Sequence, residues 1–312
     1  MDYSVIGIKI RELRKAVGIT QGELADDICT QALISRIENG DIYPSATALY
    51  QISVKLGVDV NYFFEIGTTP RLDYIIEVEK QLRYLRVYRK YEEMMELVKN
   101  EEKNPLFYKD NELLQLLCWH KGIYQFEVKQ DAETAFSLLH KAFHLTAHQK
   151  KAMSEREMEI LASNGAIHYN KHQYDESLHY FKQVETAMNT TGQLQDKSIK
   201  TKLFYNIARV LTRQGELDES SDYCHKAIRW CFDEELLWGL GELHYQIGYN
   251  YELKNQYEEA LPFFKCALQM LELRNDEPYV AFLAPKIEEV SQLVGHRDRS
   301  LFPDNQVKTV DR

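Results

Sequence analysis

The sequence predicts an all-α protein, and three observations carry that prediction. Apolar residues recur at three- and four-residue steps along most of the chain, which is the period of an amphipathic helix. Only 14 glycines and 7 prolines occur in 312 residues, too few for the many turns of an all-β sandwich. Most of the chain after residue 75 repeats one helical pattern. A chain of this length also predicts two structural units.

Composition and charge narrow the class of protein. A net charge of -10 disfavours unspecific coating of nucleic acid, which depends on a broad excess of Lys and Arg. No apolar stretch approaches the length of about 18 residues that a membrane-spanning helix needs. The five cysteines are scattered and form no C-x-x-C pair, as expected for reduced thiols. We therefore expect a cytoplasmic protein.

The first 65 residues predict five short helices. In the first helix Ile6, Ile10, Leu13 and Val17 share one face, and Gly18 ends it. Thr20 and Glu23 form a capping box at the start of the second helix, and Thr30 caps the third. Gly40 suits the left-handed conformation that ends the third helix. Pro44 and Ser45 begin the fourth helix, and Gly57 follows it. We expect these helices to form one compact domain over residues 1–65.

The third helix of this domain has two distinct faces. At 100° per residue, Ile34 and Ile37 point to one side. The opposite face is small and polar, and consists of Gln31, Ala32, Ser35 and Arg36. Helix-turn-helix proteins present such a face to the major groove of DNA.

The residues around this helix resemble the Cro/C1-type (XRE) helix-turn-helix family over residues 6 to 64. The resemblance is carried by Thr20-Gln21-x-x-Leu24-Ala25, by the run from Ile34 to Gly40, and by Pro44. It implies that the base edges are faced by Gln31, Ala32 and Arg36, and that the phosphates are contacted by Gln21, Ser35 and Asn39. It also implies a structural ion pair between Arg14 and Glu38. For Arg36, the alternative is an ordinary solvated arginine.

The charge of this domain favours a dimer. Residues 1–65 carry six Lys or Arg and nine Asp or Glu, a net of -3, so we expect one copy to bind DNA weakly. A homodimer would place two reading helices on a palindrome, with half-sites roughly 34 Å apart.

The rest of the chain repeats the pattern Y-x-x-A-x-x-x-F-x-x-A in divergent copies. Its first positions are Tyr91, Ala132, Tyr174, Leu217 and Tyr257, at steps of 40 to 43 residues. In the last three copies a small residue stands nine positions earlier, at Gly165, Ala208 and Gly248, where two helices would cross closely. The pattern resembles the tetratricopeptide repeat, whose usual unit of about 34 residues is shorter. Five copies in register predict an α-solenoid.

This places the boundaries of the chain as follows. We expect a linker at residues 66–75, five repeats with a capping helix at 76–295, and a disordered tail at 296–312.

The first helices of the hairpins would form a concave binding face. The resemblance implies peptide contacts from Asn206 and Gln246, and nearby candidates are Asn164, Tyr205, Arg209 and Tyr245. The cations Arg83, Arg86, Arg89 and Lys121 are candidates for holding a peptide carboxylate. For each of these the alternative is a solvated helix face.

The two halves together resemble the RNPP family of peptide-pheromone receptors, and within it the PlcR type. That resemblance implies a quorum-sensing transcriptional regulator that binds palindromic DNA as a homodimer and is controlled by a short signalling peptide. Two alternatives remain: the repeats dock a protein partner such as an anti-repressor or response regulator, or they act as an aspartyl-phosphate phosphatase, as relatives of this repeat class do. The second alternative is disfavoured because those relatives have other N-terminal helices.

Other chemistry is sparse in the sequence. His140, His144 and His148, and also His168 and His172, recur at helical spacing, but no acidic or cysteine ligand accompanies them, so a solvated face is favoured over a metal site. Cys224 and Cys231 fall on core positions. No nucleophile elbow, phosphate loop or dinucleotide motif occurs. We expect no enzymatic activity, no cofactor and no metal.

Overall fold

The computed structural model describes residues 3–68, 72–147, 152–191 and 193–301. Within these ranges the regular structure is α-helical throughout, with seventeen helices and no strand. The all-α prediction is therefore confirmed. By packing, the chain divides into one unit at Met1–Leu106 and a second at Phe107–Arg312.

The helices follow one another with short connections. In the first unit they are α1 (Tyr3–Val17), α2 (Gln21–Ala25), α3 (Gln31–Glu38), α4 (Ala46–Leu56), α5 (Val60–Thr68), α6 (Leu72–Val87) and α7 (Tyr91–Glu101). The short α8 (Pro105–Tyr108) spans the division. The second unit holds α9 (Asn111–Glu127), α10 (Ala132–Ala147), α11 (Glu155–Asn170), α12 (Tyr174–Thr190), α13 (Ser198–Gln214), α14 (Leu217–Asp233), α15 (Leu240–Leu253), α16 (Tyr257–Leu273) and α17 (Glu277–Leu301).

The predicted caps delimit the helices of the N-terminal domain. Thr20 Oγ1 accepts from the Glu23 N–H at 3.2 Å, and Glu23 Oε2 accepts from the Thr20 N–H at 2.6 Å, which confirms the capping box. Thr30 and Ser45 each accept a backbone N–H of the helix that follows. The core between the five helices is aliphatic apart from one phenylalanine, and its fully buried members include Ile6, Ile10, Leu24, Ile34, Ile37, Leu49, Ile52 and Phe63. The predicted five-helix domain is confirmed.

The connection after this domain is shorter than the predicted linker. Helix α5 continues to Thr68 and α6 begins at Leu72, so helices occupy most of residues 66–75 and only 69–71 lie outside the described residues. Asp73 ties α6 to the domain, because Lys9 Nζ and Tyr62 Oη each donate to it at 3.3 Å. The division into compact units falls after Leu106, so the first repeat hairpin packs with the N-terminal domain.

The repeat register is confirmed at every copy. The second helix of each hairpin begins at the predicted first position, namely Tyr91, Ala132, Tyr174, Leu217 and Tyr257. Helices of the second unit pack as hairpins, α9 with α10, α11 with α12, α13 with α14 and α15 with α16, and successive hairpins of this unit pack on one another. Stacking of this kind buries an apolar face that no single hairpin could cover.

Small residues sit where the two helices of a hairpin cross. A β-carbon at Gly165 would lie 2.7 Å from the Phe181 ring, and one at Gly248 would lie 2.8 Å from the Phe264 ring. In the hairpin between them, Ala208 replaces glycine and the smaller Cys224 replaces phenylalanine. Both are fully buried in one core cluster. At this crossing the larger small residue on the first helix therefore meets a smaller side chain on the second.

The last helix extends further than predicted. Helix α17 covers the predicted capping segment and packs on α16, where Leu283 and Val290 join a cluster with Ala260 and Phe264. It continues to Leu301, so the first six residues of the predicted disordered tail are helical. Residues 302–312 lie outside the described part of the chain. None of the helices described is long and apolar enough to cross a bilayer.

Candidate functional site

Helix α3 presents an apolar face to the core and a polar face to solvent. Ile34 and Ile37 are 0% and 1% exposed, whereas Gln31, Ala32 and Arg36 are exposed on the other side. Ser35 is half-buried at the edge of this face and Asn39 is exposed just beyond the helix. The predicted separation into two faces is confirmed.

The cation on this face is free to bind an external acceptor. Arg36 lies in the last turn of α3, and its guanidinium forms neither an ion pair nor a hydrogen bond with any residue in the described ranges. A guanidinium without an internal acceptor can donate two parallel hydrogen bonds to O6 and N7 of guanine. The Gln31 amide is equally unengaged among the residues described, and an amide of this kind matches N6 and N7 of adenine.

A buried ion pair fixes α3 against α1, as the family resemblance implies. Arg14 Nε donates to Glu38 Oε1 at 2.5 Å and Arg14 Nη2 donates to Glu38 Oε2 at 3.0 Å. The third donor, Nη1, reaches the carbonyl of Ile19 at 2.9 Å. Arg14 is therefore committed to structure and does not read bases.

Gln21 belongs to the same network. Its Nε2 donates to Glu38 Oε2 at 2.9 Å, so one of its two amide hydrogens is already used inside the domain. The assignment of Gln21 to a phosphate stays a prediction. The groups of Gln21 that could donate to a phosphate are the second hydrogen of its side-chain amide and its backbone N–H at the start of α2.

The ion pair lowers the pKa of Glu38 although the side chain is buried. Burial raises the pKa of the Glu38 carboxyl, but the hydrogen bonds from Arg14 and Gln21 and the charge of Arg14 outweigh it, so the pKa lies below its usual range. The hydrogen bond to Glu38 raises the pKa of the Arg14 guanidinium. Both groups are charged at neutral pH, and the side chain of Glu38 is 1% exposed.

The second unit contains a half-open cavity of about 410 Å³. Its walls come mainly from α11, α13 and α15, the first helices of three successive hairpins, and from α17, and α16 contributes Leu271. This is the surface where the repeats predict a binding face. Four of the ten predicted peptide-binding residues line it: Tyr205, Arg209, Tyr245 and Gln246.

Aromatic rings form a large part of the cavity wall. Tyr245 stacks on Tyr249 with 6.1 Å between ring centroids and meets Phe282 edge to face at 5.8 Å. Burial raises the pKa of Tyr245 to about 12 and raises that of Tyr205 further. These phenols are neutral at physiological pH, so the wall offers ring faces and hydroxyl groups.

A buried polar network supports the cavity floor. Gln246, 4% exposed, donates from Nε2 to Thr212 Oγ1 at 2.7 Å. Thr212 Oγ1 in turn donates to Asn250 Oδ1 at 2.7 Å, and Asn250 Nδ2 donates to Ser220 Oγ at 2.8 Å. Because each buried group has a partner, the Gln246 amide is held in one orientation at the cavity surface.

The other predicted peptide-binding residues lie elsewhere. Asn206 is half-buried on α13 and does not line the cavity. Asn164 lines a second cavity, of about 390 Å³, between α10, α11 and α12, and donates to the carbonyl of Ile160. Lys121 is on α9 of the second unit. The three arginines Arg83, Arg86 and Arg89 are in the first unit, on α6 or just after it.

The cavity is also lined by charged and aromatic residues that the sequence did not indicate, among them Tyr169, Arg213, Glu242, Tyr249, Phe282 and Lys286. Helical spacing could have found three of them, since Arg213 and Tyr249 are four residues after the predicted Arg209 and Tyr245, and Glu242 is three residues before Tyr245. Tyr169, Phe282 and Lys286 come from α11 and α17, which only the stacking of hairpins brings to the cavity.

The histidines of the described ranges that recur at helical spacing contact neighbouring aromatic rings. His140 and His144 are tilted against each other with ring centroids 4.0 Å apart, and His168 stacks on Tyr180 at 5.3 Å. Among the described residues, no three His, Cys, Asp or Glu side chains come together as ligands. His148 lies outside the described residues.

The two cysteines on predicted core positions are buried, as expected. Cys224 is fully buried and Cys231 is 1% exposed, and burial raises the pKa of both thiols. A raised thiol pKa lowers the thiolate fraction that redox chemistry requires.

Comparison with known proteins shows the family. Residues 79–289 match the RNPP family C-terminal domain, and residues 10–63 match a helix-turn-helix family. The chain is 23% identical over 290 residues to the transcriptional activator NprA of Geobacillus stearothermophilus, covering 89% of this chain and 68% of that protein.

Solved structures share the fold. A crystal structure of Bacillus thuringiensis PlcR in complex with the peptide PapR7 and DNA is 24% identical, covers 90% of this chain and 99% of its own, and gives a TM-score of 0.81. A structure of ComR from S. thermophilus with DNA and its signalling peptide ComS is 18% identical, covers 92% and 99%, and gives 0.64.

The fold and the exposed face of α3 define a helix-turn-helix DNA-binding protein with tetratricopeptide-like repeats. The chain belongs to the RNPP family, and it is a transcriptional regulator of that family.

Proposed function

We propose that this chain is a cytoplasmic quorum-sensing regulator that binds palindromic DNA as a homodimer and is controlled by a short signalling peptide. The observation that carries the proposal is the cavity between α11, α13, α15 and α17, whose stacked tyrosines and fixed Gln246 amide suit a short peptide. Aromatic faces bind apolar side chains, and an oriented amide pairs with peptide groups.

The DNA-binding part of the proposal rests on α3. In this assignment Gln31, Ala32 and Arg36 read base edges, and Ser35, Asn39 and Gln21 contact phosphates. Support comes from the exposure of Gln31, Ala32 and Arg36 and from the lack of any internal acceptor for the Arg36 guanidinium in the part of the chain described. Phosphate contacts fix the register of a reading helix, and base contacts supply the specificity.

The proposed dimer would compensate for weak DNA binding by a single N-terminal domain. Residues 1–65 carry a net charge of -3, so a single domain gains little from counterion release. Two domains joined in one dimer multiply their affinities, because the second one binds at a high effective concentration. The peptide would control DNA binding by favouring one of two conformations of the dimer, which requires that it bind that conformation more tightly.

Operator binding by the purified full-length protein tests this function. Specific duplexes are selected from a random pool at fixed salt, and their affinity is then measured with and without a library of short synthetic peptides. We expect individual peptides to change the DNA affinity or the dimer population. Selected duplexes should be palindromic.

Two other outcomes would contradict parts of the proposal. Specific DNA binding that no peptide alters would make the repeats a docking surface for a protein partner, and co-purification would then identify it. Selection of no specific duplex in any condition would contradict the assignment of α3.

A further inference from the structure

The charges that line the cavity are only partly neutralised by the protein itself. Glu242 accepts from Arg274 Nη2 at 2.7 Å, and Lys286 Nζ donates to Glu252 Oε1 at 2.8 Å. Both of these lining residues therefore have an opposite charge beside them.

The two remaining lining charges are arginines without a carboxylate. Arg209 and Arg213 form no ion pair with any residue in the described ranges. Arg213 Nε donates to the Tyr169 hydroxyl at 3.3 Å. Once the internal ion pairs are subtracted, the cavity has an excess of two positive charges, although the chain as a whole carries -10.

Two tyrosine rings position the Arg209 guanidinium in the cavity, where it can donate to an external acceptor. Its guanidinium carbon lies 4.2 Å from the Tyr169 ring centroid and 5.6 Å from that of Tyr205. The rings restrict the long side chain, so less rotamer entropy is lost when a ligand binds. None of its N–H groups has an acceptor in the described part of the protein.

We propose that the cavity recognises a carboxylate of the signalling peptide through Arg209, with Arg213 as the second cation. The inference rests on the proposed function, because it specifies the ligand of the same cavity. A planar guanidinium and a carboxylate form two parallel charged hydrogen bonds, a geometry that a lysine does not offer. The edge-to-face pair of Tyr245 and Phe282 in the same wall favours an apolar or aromatic residue beside the carboxylate.

The carboxylate has two sources in a peptide: an Asp or Glu side chain, or the carboxyl terminus. The test distinguishes them with matched peptides. Short synthetic peptides are selected on the full-length protein and identified by mass spectrometry. Each selected peptide is then made as the free acid, as the C-terminal amide, and with every Asp or Glu replaced by Asn or Gln, and calorimetry gives its affinity.

We expect one of the two neutralised forms to bind about 10- to 100-fold more weakly than the free acid, as for loss of a charged hydrogen-bonded pair. Arg209→Gln should abolish this difference, so that acidic and neutral peptides bind alike. Arg209→Lys should keep only part of it, because it retains the charge and loses the planar fork. Arg229→Gln is the matched control, since Arg229 is exposed on α14 and does not line the cavity; it should leave the difference intact.

The outcomes separate this inference from the proposed function. If peptides bind but all three forms bind equally, the carboxylate site is overturned and the peptide receptor stands. If the difference survives in Arg209→Gln, the carboxylate is read elsewhere and the assignment to Arg209 is overturned. If no peptide binds, both proposals are overturned. Circular dichroism of each variant verifies that it is folded.

Discussion

Gly165 of α11 lies against the ring of Phe181 of α12, so closely that a β-carbon at residue 165 would approach Phe181 Cε1 to 2.7 Å. Phe181 is 1% exposed, and its ring cannot swing into solvent to make room. The pair fixes how closely the two helices of this hairpin pack. The same relationship between Gly248 and Phe264 recurs two hairpins later.

We predict that Gly165→Ala destabilises the second unit by about 1–2 kcal/mol, because overpacking outweighs the gain in helix propensity. Tryptophan fluorescence reports this unit alone, since Trp119, Trp230 and Trp238 all belong to it. In the Phe181→Leu background the same substitution should be neutral or stabilising. An equal cost in both backgrounds would show that the Phe181 ring is not the cause.

Arg36→Ala should remove sequence preference while leaving the fold and the oligomeric state unchanged. Loss of a bidentate contact to guanine costs about 1–3 kcal/mol for each half-site. Affinities for the selected duplex and for a scrambled duplex measure the effect. Arg11→Ala, which removes another exposed arginine of the same domain, should preserve the ratio of the two affinities. An unchanged ratio in Arg36→Ala would remove Arg36 from the reading face.

The ion pair between Arg14 and Glu38 predicts acid sensitivity of the N-terminal domain. The pKa of Glu38 is lower in the folded protein, so its contribution is present above the pKa of the unfolded chain, about 4.3, and is lost as the pH falls through the lower folded value. Glu38→Gln should cost about 3–5 kcal/mol, because it leaves Arg14 largely buried without a counter-charge, and should remove this pH dependence.

Two probes make that prediction specific. Circular dichroism follows all helices, whereas tryptophan fluorescence follows only the second unit. We expect Glu38→Gln to add an early transition by circular dichroism and to leave the fluorescence transition in place. The double replacement Arg14→Leu with Glu38→Leu should recover most of the stability, since it removes both charges. Failure of the single variant to lower stability would contradict the structural role of the pair.

Gln246→Ala should weaken peptide binding by about tenfold, the typical loss when one oriented amide is removed from a site. Asn206→Ala should have a smaller effect, because Asn206 does not line the cavity. Calorimetry with a selected peptide compares them. Peptide-free DNA affinity should be the same in both variants. A larger loss for Asn206 than for Gln246 would place the peptide outside this cavity.

Local signals made much of the fold predictable. Caps such as Thr20 and Thr30 act within one helical turn, and the repeat pattern fixes the start of every second helix. The predicted bounds of the linker and of the tail differ from the observed helix ends, because helix ends without strong caps depend on tertiary contacts. Asp73, for example, is held by Lys9 and Tyr62, which the sequence does not place beside it.

The amino-acid sequence by itself determined the helical fold, the repeat register, the two faces of α3 and the family resemblance, since each depends on residues close together in the chain or on a motif. Only the tertiary structure decided which side chains meet in the cavity. Tyr169, Arg209, Glu242 and Phe282 come from four different helices, and their proximity depends on how the hairpins stack. That stacking depends on how the side chains of successive hairpins pack against each other, which no local pattern encodes.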